Sequence, residues 1–556
     1  ADVTEKASEA RGGSGGLLVN GAIPYDGGGG TIGVNVGGVG GTGGTGGDVV
    51  VRNLVEEEPE YSGKIYTSGD GAHGVMALSI GGGGGTGSTV ITSFNTVNAS
   101  NPSSALALSI GGDGGAGGSA GLVTVQNDGR IVTTGAEAHG IVAESIGGGG
   151  GNGGLSIAGN LLLSSPDTAG LNSAISVGGN GGDGNVGNDV VVDNTGSIET
   201  YGDKSYGIFA QSVGGGGGNG GTAIAASIDP TLVTGFLSQS SLLSIGVGGA
   251  GGDGAMGGDV TVNHSGTIVT NGDDTYGVYA QSVGGGGGTS ALSFSSPFWM
   301  AADFVLPALL GSKDSSAGIG GDVDINTTGT IVTNGANSSA SFSQAISSGG
   351  GDLNLYLDIS QDASSLDQEV VDVDEVTSVT EDITAFFKGV IGLGGEGNQD
   401  NAGGTVTSTH VGDILTTGDN SAGLEVQTVG GGGGTSHVEV LARSEDVVEL
   451  DLTLGAIDST NVGGGAIAVA RDGEVVTLGA QSKGVSVQSI GGGGGSLNLT
   501  VTRSDEGEPI AAGTTTAQFG AVGGIDHDSG AIALEMSGDL YTAGDRSQGI
   551  IVKSIG

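Results

Sequence analysis

Residues Asp259–Gly288 read DVTVNHSGTIVTNGDDTYGVYAQSVGGGGG. A V-x-V pair, a glycine, an aliphatic two residues on and a threonine two beyond that alternate as strand residues do, so all the apolar members point one way. A second glycine closes this strand. A G-[IV]-x-A-Q-S-[IV] strand follows and ends in a run of glycines.

The module recurs along the chain. Its first glycine returns at Gly63, Gly129, Gly196, Gly266, Gly329, Gly412, Gly473 and Gly538. The aliphatic returns from Ile65 to Leu540 and the threonine from Thr67 to Thr542. Ser79, Ser145, Ser212 and Ser282, each just before the residue preceding a glycine run, are spaced by 66, 67 and 70 residues. The pattern predicts an all-β fold, a right-handed parallel β-helix (β-solenoid) of about eight repeats of about 66 residues, with inserted loops and hairpins. At a usual coil length of about 20 residues each repeat supplies about three coils, and about 25 coils would make a rod on the order of 120 Å long. Residues 1–31 are expected as an N-terminal segment or cap. Residues 32–556 form the continuous solenoid, with excursions near 152–173, 222–243, 289–316, 352–390, 435–455 and 496–520. Of these, His437 to Leu454 and Leu497 to Phe519 read as hairpins, Pro297 to Leu310 is the most apolar, and Asp352 to Asp382 is strongly acidic.

Composition narrows the field. Glycine takes 126 of 556 positions with only 8 prolines and no Gly-X-Y period, which excludes collagen. The runs are expected as corners, where glycine permits positive φ and close backbone approach; with the upstream G-G-x segments they could also stack as a side-chain-free, polyglycine-like layer. A net charge of −46 disfavours nucleic acid and anionic lipid. No cysteine is present, so neither disulfides nor thiolate metal sites form. No stretch reaches the roughly 18 apolar residues of a membrane helix. The chain begins at Ala1, consistent with a removed targeting signal, and stops within a repeat at Gly556, so the solenoid is expected to continue.

Strand alternation puts the threonine of I-x-T on the core side with its aliphatic, hydrogen-bonded at a corner or stacked on its equivalents. The residue between them, Tyr66, Val132, Glu199, Val269, Val332, Leu415, Val476 or Tyr541, faces outward, and an excursion or another subunit is expected to cover that stripe. No catalytic set is found: no run is followed by the lysine of a phosphate loop, and neither G-x-S-x-G nor H-E-x-x-H occurs. Two G-G-x-G-x-D matches, Gly178 to Asp183 and Gly248 to Asp253, make Asp183 and Asp253 weak candidates for calcium; no other cofactor is expected. The histidines are His73, His139, His264, His410, His437 and His527. The slot of His73 and His139 elsewhere holds Tyr206, Tyr276, Ala422, Lys483 and Gln548, which reads as an exposed position.

Gly202 to Gly221, GDKSYGIFAQSVGGGGGNGG, resembles the passenger domains of large autotransporters of Gram-negative bacteria, which repeat T-x-G-x-x-S-x-G-I-x-A-Q-S-I-G-G-G-G-G-x-G-G. The resemblance runs from about Ile32 onward and also extends to two-partner secreted adhesins. It implies Sec export, passage through an outer-membrane β-barrel that this stretch does not contain, and an extracellular or outer-surface location. The expected function is a structural, non-enzymatic surface protein, a stiff stalk or adhesin contacting host, neighbouring-cell or matrix surfaces. A self-assembling filament or surface-layer homopolymer is the alternative. A glycan-active β-helix enzyme is the third reading, set against 4% aromatic residues and a lone Trp299.

Overall fold

The structure, a computed structural model, describes residues 15–22, 30–55, 63–98, 104–164, 171–228, 241–295, 304–306, 318–348, 353–358, 386–393, 403–431, 435–442, 447–454, 463–491, 496–503, 515–519 and 528–555. Their regular structure is all strand, in parallel sheets of fourteen, eight, four, four, four and four strands. The chain is a parallel β-solenoid.

One repeat is one coil. Ile131 pairs with Ile65 on one side and Ile198 on the other, and Ser145 with Ser79 and Ser212. The expectation of three coils per repeat is therefore corrected: eight coils at about 4.8 Å stand roughly 40 Å tall. The coil is long because it has two compartments. In the second coil, Val123–Asn127 and Ile131–Thr133 join the fourteen-stranded sheet and Ile141–Ile146 the eight-stranded one. Ser156–Ser164 and Leu171–Val177 then form two further sides before the chain returns.

The first compartment holds the main core, a continuous column of Val, Ile and Ala that includes Ile131, Ile141, Ile198 and Ile208, all buried. Deleting one such side chain to alanine costs about 2–5 kcal/mol. The second compartment is thinner and filled with small groups, Ala107, Ala158, Ala174 and Ala225 beside Phe94. Polar pairs share it, such as Ser176 donating to Ser156 at 2.8 Å. From the fourth coil onward the same two sides are built from Ser290–Ser295, Leu353–Asp358, Thr435–Ala442 and Ser496–Arg503, and from Phe304–Leu306, Phe386–Leu393, Val447–Leu454 and Thr515–Phe519.

All six segments expected as excursions thus contribute strands to coil sides. The supposed hairpins are not hairpins: Thr435–Ala442 pairs in parallel with Leu353–Asp358 and Ser496–Arg503, and Val447–Leu454 with Phe386–Leu393 and Thr515–Phe519. Their alternation marked strands correctly. In a stacked coil, however, both edges of a strand are used by the coils above and below, not by the sequence neighbour. In the segment 1–31, Leu17–Ala22 is likewise a strand, paired with the first coil.

The I-x-T threonines face the core as expected, and several bond across the following corner: Thr133 donates to the Ala138 carbonyl at 2.6 Å and Thr200 to that of Ser205 at 2.7 Å, whereas Thr477 Oγ1 has no such partner. That corner turns through a left-handed residue, Gly71 in the first coil and Glu137, Lys204, Asp274, Asn337, Asn420, Gln481 and Arg546 in the others. The outward stripe is half-exposed in the central coils and open at Tyr66, 69% exposed, and Tyr541, 57% exposed, so no described residue covers its ends.

The glycine runs are not corners. They are the straight waist between the two compartments, where Gly81–Gly85 runs antiparallel to the G-G-x segments of its own and the preceding coil. Donors recur every third residue, the repeat of an extended threefold helix that has no internal hydrogen bonds. Gly82 and Gly85 donate to the carbonyls of Gly44 and Gly41, and Gly118 and Gly115 donate back to Gly82 and Gly85, at 2.7–2.8 Å. Gly81 and Gly84 donate instead to Ile146 and Gly149 of the next coil, both at 2.8 Å. Positive φ plays no part there, since among the described residues no run glycine is left-handed. Close approach decides: a Cβ on Gly148 would lie 2.0 Å from the Gly82 carbonyl oxygen. At the third position of each triplet the backbone faces outward, and a Cβ on Gly149 meets nothing nearer than 3.5 Å. In the G-G-x segments that position carries side chains such as Asp113, Ala116 and Ser119.

Adjacent glycines should therefore respond oppositely. Gly148→Ala is expected to destabilise the chain by about 3 kcal/mol or more through overpacking, while Gly149→Ala is neutral or stabilising by up to about 1 kcal/mol. Denaturant melts of the two variants check this, and equal losses would contradict the threefold waist.

Candidate binding surface

Because every coil keeps register, equivalent residues stack into columns. The outer face of the eight-stranded sheet carries three that matter. One holds amides: Gln211 donates to Gln281, Gln281 to Gln344 and Gln344 to Gln427. Two others carry rings, His73, His139, Tyr206 and Tyr276 at the corner and Phe209, Tyr279 and Phe342 on the strand. Phe209, Tyr279 and Phe342 stack with centroids 5.2 and 4.9 Å apart and planes within 21° and 13°. His73 and His139 stack at 5.0 Å, parallel within 1°. Between them the ladder changes pitch, for Tyr206 is tilted 44° from His139 and edge-on to Tyr276. Burial pushes the Tyr276 and Tyr279 hydroxyls up to about 12.

The break in pitch opens a shallow groove of about 400 Å³ lined by Gly71, His73, Glu137, His139, Lys204, Tyr206 and Phe209. Glu137 and Lys204 are successive left-handed corner residues, φ +54° and +53°. The histidines are held by the same stacking. His73 Nδ1 accepts the His139 backbone N–H at 3.1 Å, and His139 Nδ1 accepts that of Tyr206 at 2.9 Å. The slot read from sequence as exposed is therefore half-buried. Burial, helped by the neighbouring His73, lowers His139 to about 4.

Asp183 and Asp253 occupy the outward position of successive G-G-x segments and meet one coil apart. Asp183 Oδ1 accepts the Asp253 backbone N–H at 3.0 Å. This is one case of a general device: Asp113 accepts from the amide of Asn180, Asn180 from Ala250, Asp189 from Asp259 and Asp259 from Asp322. These side chains cap outward amides of the next coil. Among the described residues no group of three or more His, Cys, Asp or Glu is placed to hold a metal ion.

His264 and His410 are buried in the main core, in a column that runs Asn53, Asn127, Asn194, His264, Thr327, His410 and Arg471. The asparagines bond in series at 2.6 Å, and Asn194 Nδ2 donates to His264 Nδ1 at 2.7 Å. Thr327 contacts His410, and Arg471 donates to the carbonyls of His410 and Glu474 at 3.2 and 2.7 Å. His437 pairs through its backbone with Asn354 and Asn498. His527 and Trp299 lie outside the described residues, as do all but Phe304–Leu306 of the segment 297–310 and all but Leu353–Asp358 of 352–382.

Sequence reasoning missed the ring columns. The signal was present in the slots themselves: the x of G-[IV]-x-A-Q-S is Phe209, Tyr279 and Phe342 in three consecutive coils. Total aromatic content hid it, because stacking concentrates a few rings on one face.

Burial lowers His264 to about 4, and burial with the Arg471 charge lowers His410 to about 3. Their folded values, like that of His139, lie below the unfolded value near 6.5, so the unfolded chain binds more protons. Stability is full above about pH 6.5 and lost as pH falls towards 4. His264→Asn restores the residue present at Asn53, Asn127 and Asn194. It is expected to lessen that acid loss by on the order of 2 kcal/mol. Denaturant melts across pH 4–7 check this; an unchanged slope would mean His264 titrates normally. Comparison of the chain with family models, with curated proteins and with solved structures gave no match.

Proposed function

We propose that the chain is a structural and adhesive module of an extracellular, passenger-type protein, a rigid stack that presents columns of side chains on a flat face. The observation that carries this reading is constant register: each coil offers both strand edges and both waist segments as a template for the next. Such a chain orders coil by coil, which suits folding after export in an extended state. The repeat motif's resemblance to autotransporter passengers points the same way, towards the outer surface of a Gram-negative cell. The groove and ring columns give the stack a feature beyond rigidity, and they favour adhesin over bare stalk.

Two measurements test the reading. Pulled from its ends, the chain is expected to lengthen in steps of about 230 Å, one coil of about 66 residues at about 3.5 Å each. A single all-or-none extension would contradict coil-wise templating. Beads coated with the chain should be retained on cell or matrix layers above albumin-coated beads, and equal retention would sink the adhesive role.

A further inference from the structure

We propose that the groove across the first three coils is a saccharide-binding subsite for a neutral sugar ring. The proposal deepens the adhesive reading and rests on it only for the source of the ligand.

The groove exists because the ring ladder changes pitch. His73 and His139 are parallel, while Tyr206 is tilted 44° from His139, and Phe209 packs against both, its centroid 5.8 Å from that of His139 and 5.9 Å from that of Tyr206. Its size falls in the range of about 300–1,000 Å³ usual for small-ligand sites. It is open rather than enclosed; Phe209 stands on a strand, and the corner residues are held in register by backbone bonds from coil to coil, Gly71 to Ala136, Glu137 to Asp203 and Gly140 to Tyr206 at 2.8 Å, so the groove is preorganised.

The chemistry of the lining selects the ligand. Both imidazoles spend Nδ1 on backbone N–H groups of the next coil, so Nε2 is the ring nitrogen each has left to offer. Glu137 adds a carboxylate acceptor, Lys204 an ammonium donor and Tyr206 a hydroxyl that does both. Phe209 and the Tyr206 ring add apolar surface. A partner that satisfies this lining has an apolar face edged by closely spaced hydroxyls, and a pyranose is such a molecule. A hydrocarbon chain would offer these polar groups no hydrogen bond. A polyanion would have to approach a chain of net charge −46. The corner slot carries rings in the first four coils, His73, His139, Tyr206 and Tyr276, and small residues in the next two, Ser339 and Ala422.

Saturation-transfer NMR on the full chain tests the proposal, with the methyl pyranosides of glucose, galactose, mannose, fucose and N-acetylglucosamine, and their disaccharides, as probes. Transfer to at least one probe is expected. Tyr206→Ala and the corner variant Glu137→Gln should each weaken it about tenfold, the loss of roughly one hydrogen bond or one stacked ring. Tyr206→His, which copies the residue of the two preceding coils, guards against a folding defect, and Tyr541→Ala, far along the stack, should leave transfer unchanged. No transfer from any probe, or transfer undiminished in both groove variants, would overturn the subsite. The two proposals fail separately: bead retention that ignores Tyr206→Ala removes the subsite alone, whereas sugar binding without retention removes the adhesive role alone.

Discussion

A glycine Cα can lie against a carbonyl oxygen where no other residue fits, and the waist of this solenoid is made of that contact repeated. Gly82 against Gly44, Gly118 against Gly82 and Gly148 against Gly118 form a zigzag of backbone bonds at 2.7–2.8 Å that climbs the stack. Hydrophobic burial cannot hold this region, since no side chain is there to bury. Backbone hydrogen bonding and close packing of peptide groups hold it instead, and both fail if a methyl group intervenes. The waist sets the separation of the compartments and lets the coil reach about 66 residues without a large core.

The rest of the coil solves the polar accounting that such a fold imposes. A parallel stack leaves outward amides at the waist and at corners, and each needs an acceptor. Asp and Asn side chains supply it from the coil below, as Asp70 does for Ala136, Asp203 for Asp273 and Asn152 for Asn219. Part of the acidic content therefore has a structural role, and Asp183, which accepts from the Asp253 amide, belongs to this pattern. Inside the core, Ser145 plays the corresponding part, donating to the Gly121 carbonyl at 3.0 Å and accepting from Asn188 at 2.9 Å.

How much of this the sequence disclosed depends on whether the information is local. The I-x-T strand, its core-facing threonine and the parallel stacking follow from alternation and repetition, and they hold. The number of coils per repeat does not follow, because it depends on which residue lies opposite Ile131. That partner, Ile198, is a full repeat away, and no residue between them announces the distance. The same limit turned Thr435–Ala442 and Val447–Leu454 into a supposed hairpin, since two adjacent alternating stretches look alike whether they pair with each other or with other coils. The glycine layer was legible as a possibility. Its threefold period was visible in G-G-x, but the partner segment, again a distant one, was not. The groove lies at a change of ring tilt between His139 and Tyr206, a property of packing that slot composition does not encode.

Residue-resolved amide hydrogen exchange through Gly147–Gly154 tests the waist most directly. The backbone bonds predict a two-in-three pattern: Gly147, Gly148, Gly150, Gly151, Gly153 and Gly154 donate to Val213, Gly118, Gly216, Gly115, Asn219 and Gly112, whereas Gly149 faces outward. Slow exchange at those six with fast exchange at Gly149 and Asn152 is the expected result. Uniformly fast exchange, or protection alternating with a period of two, would contradict a waist of threefold glycine segments.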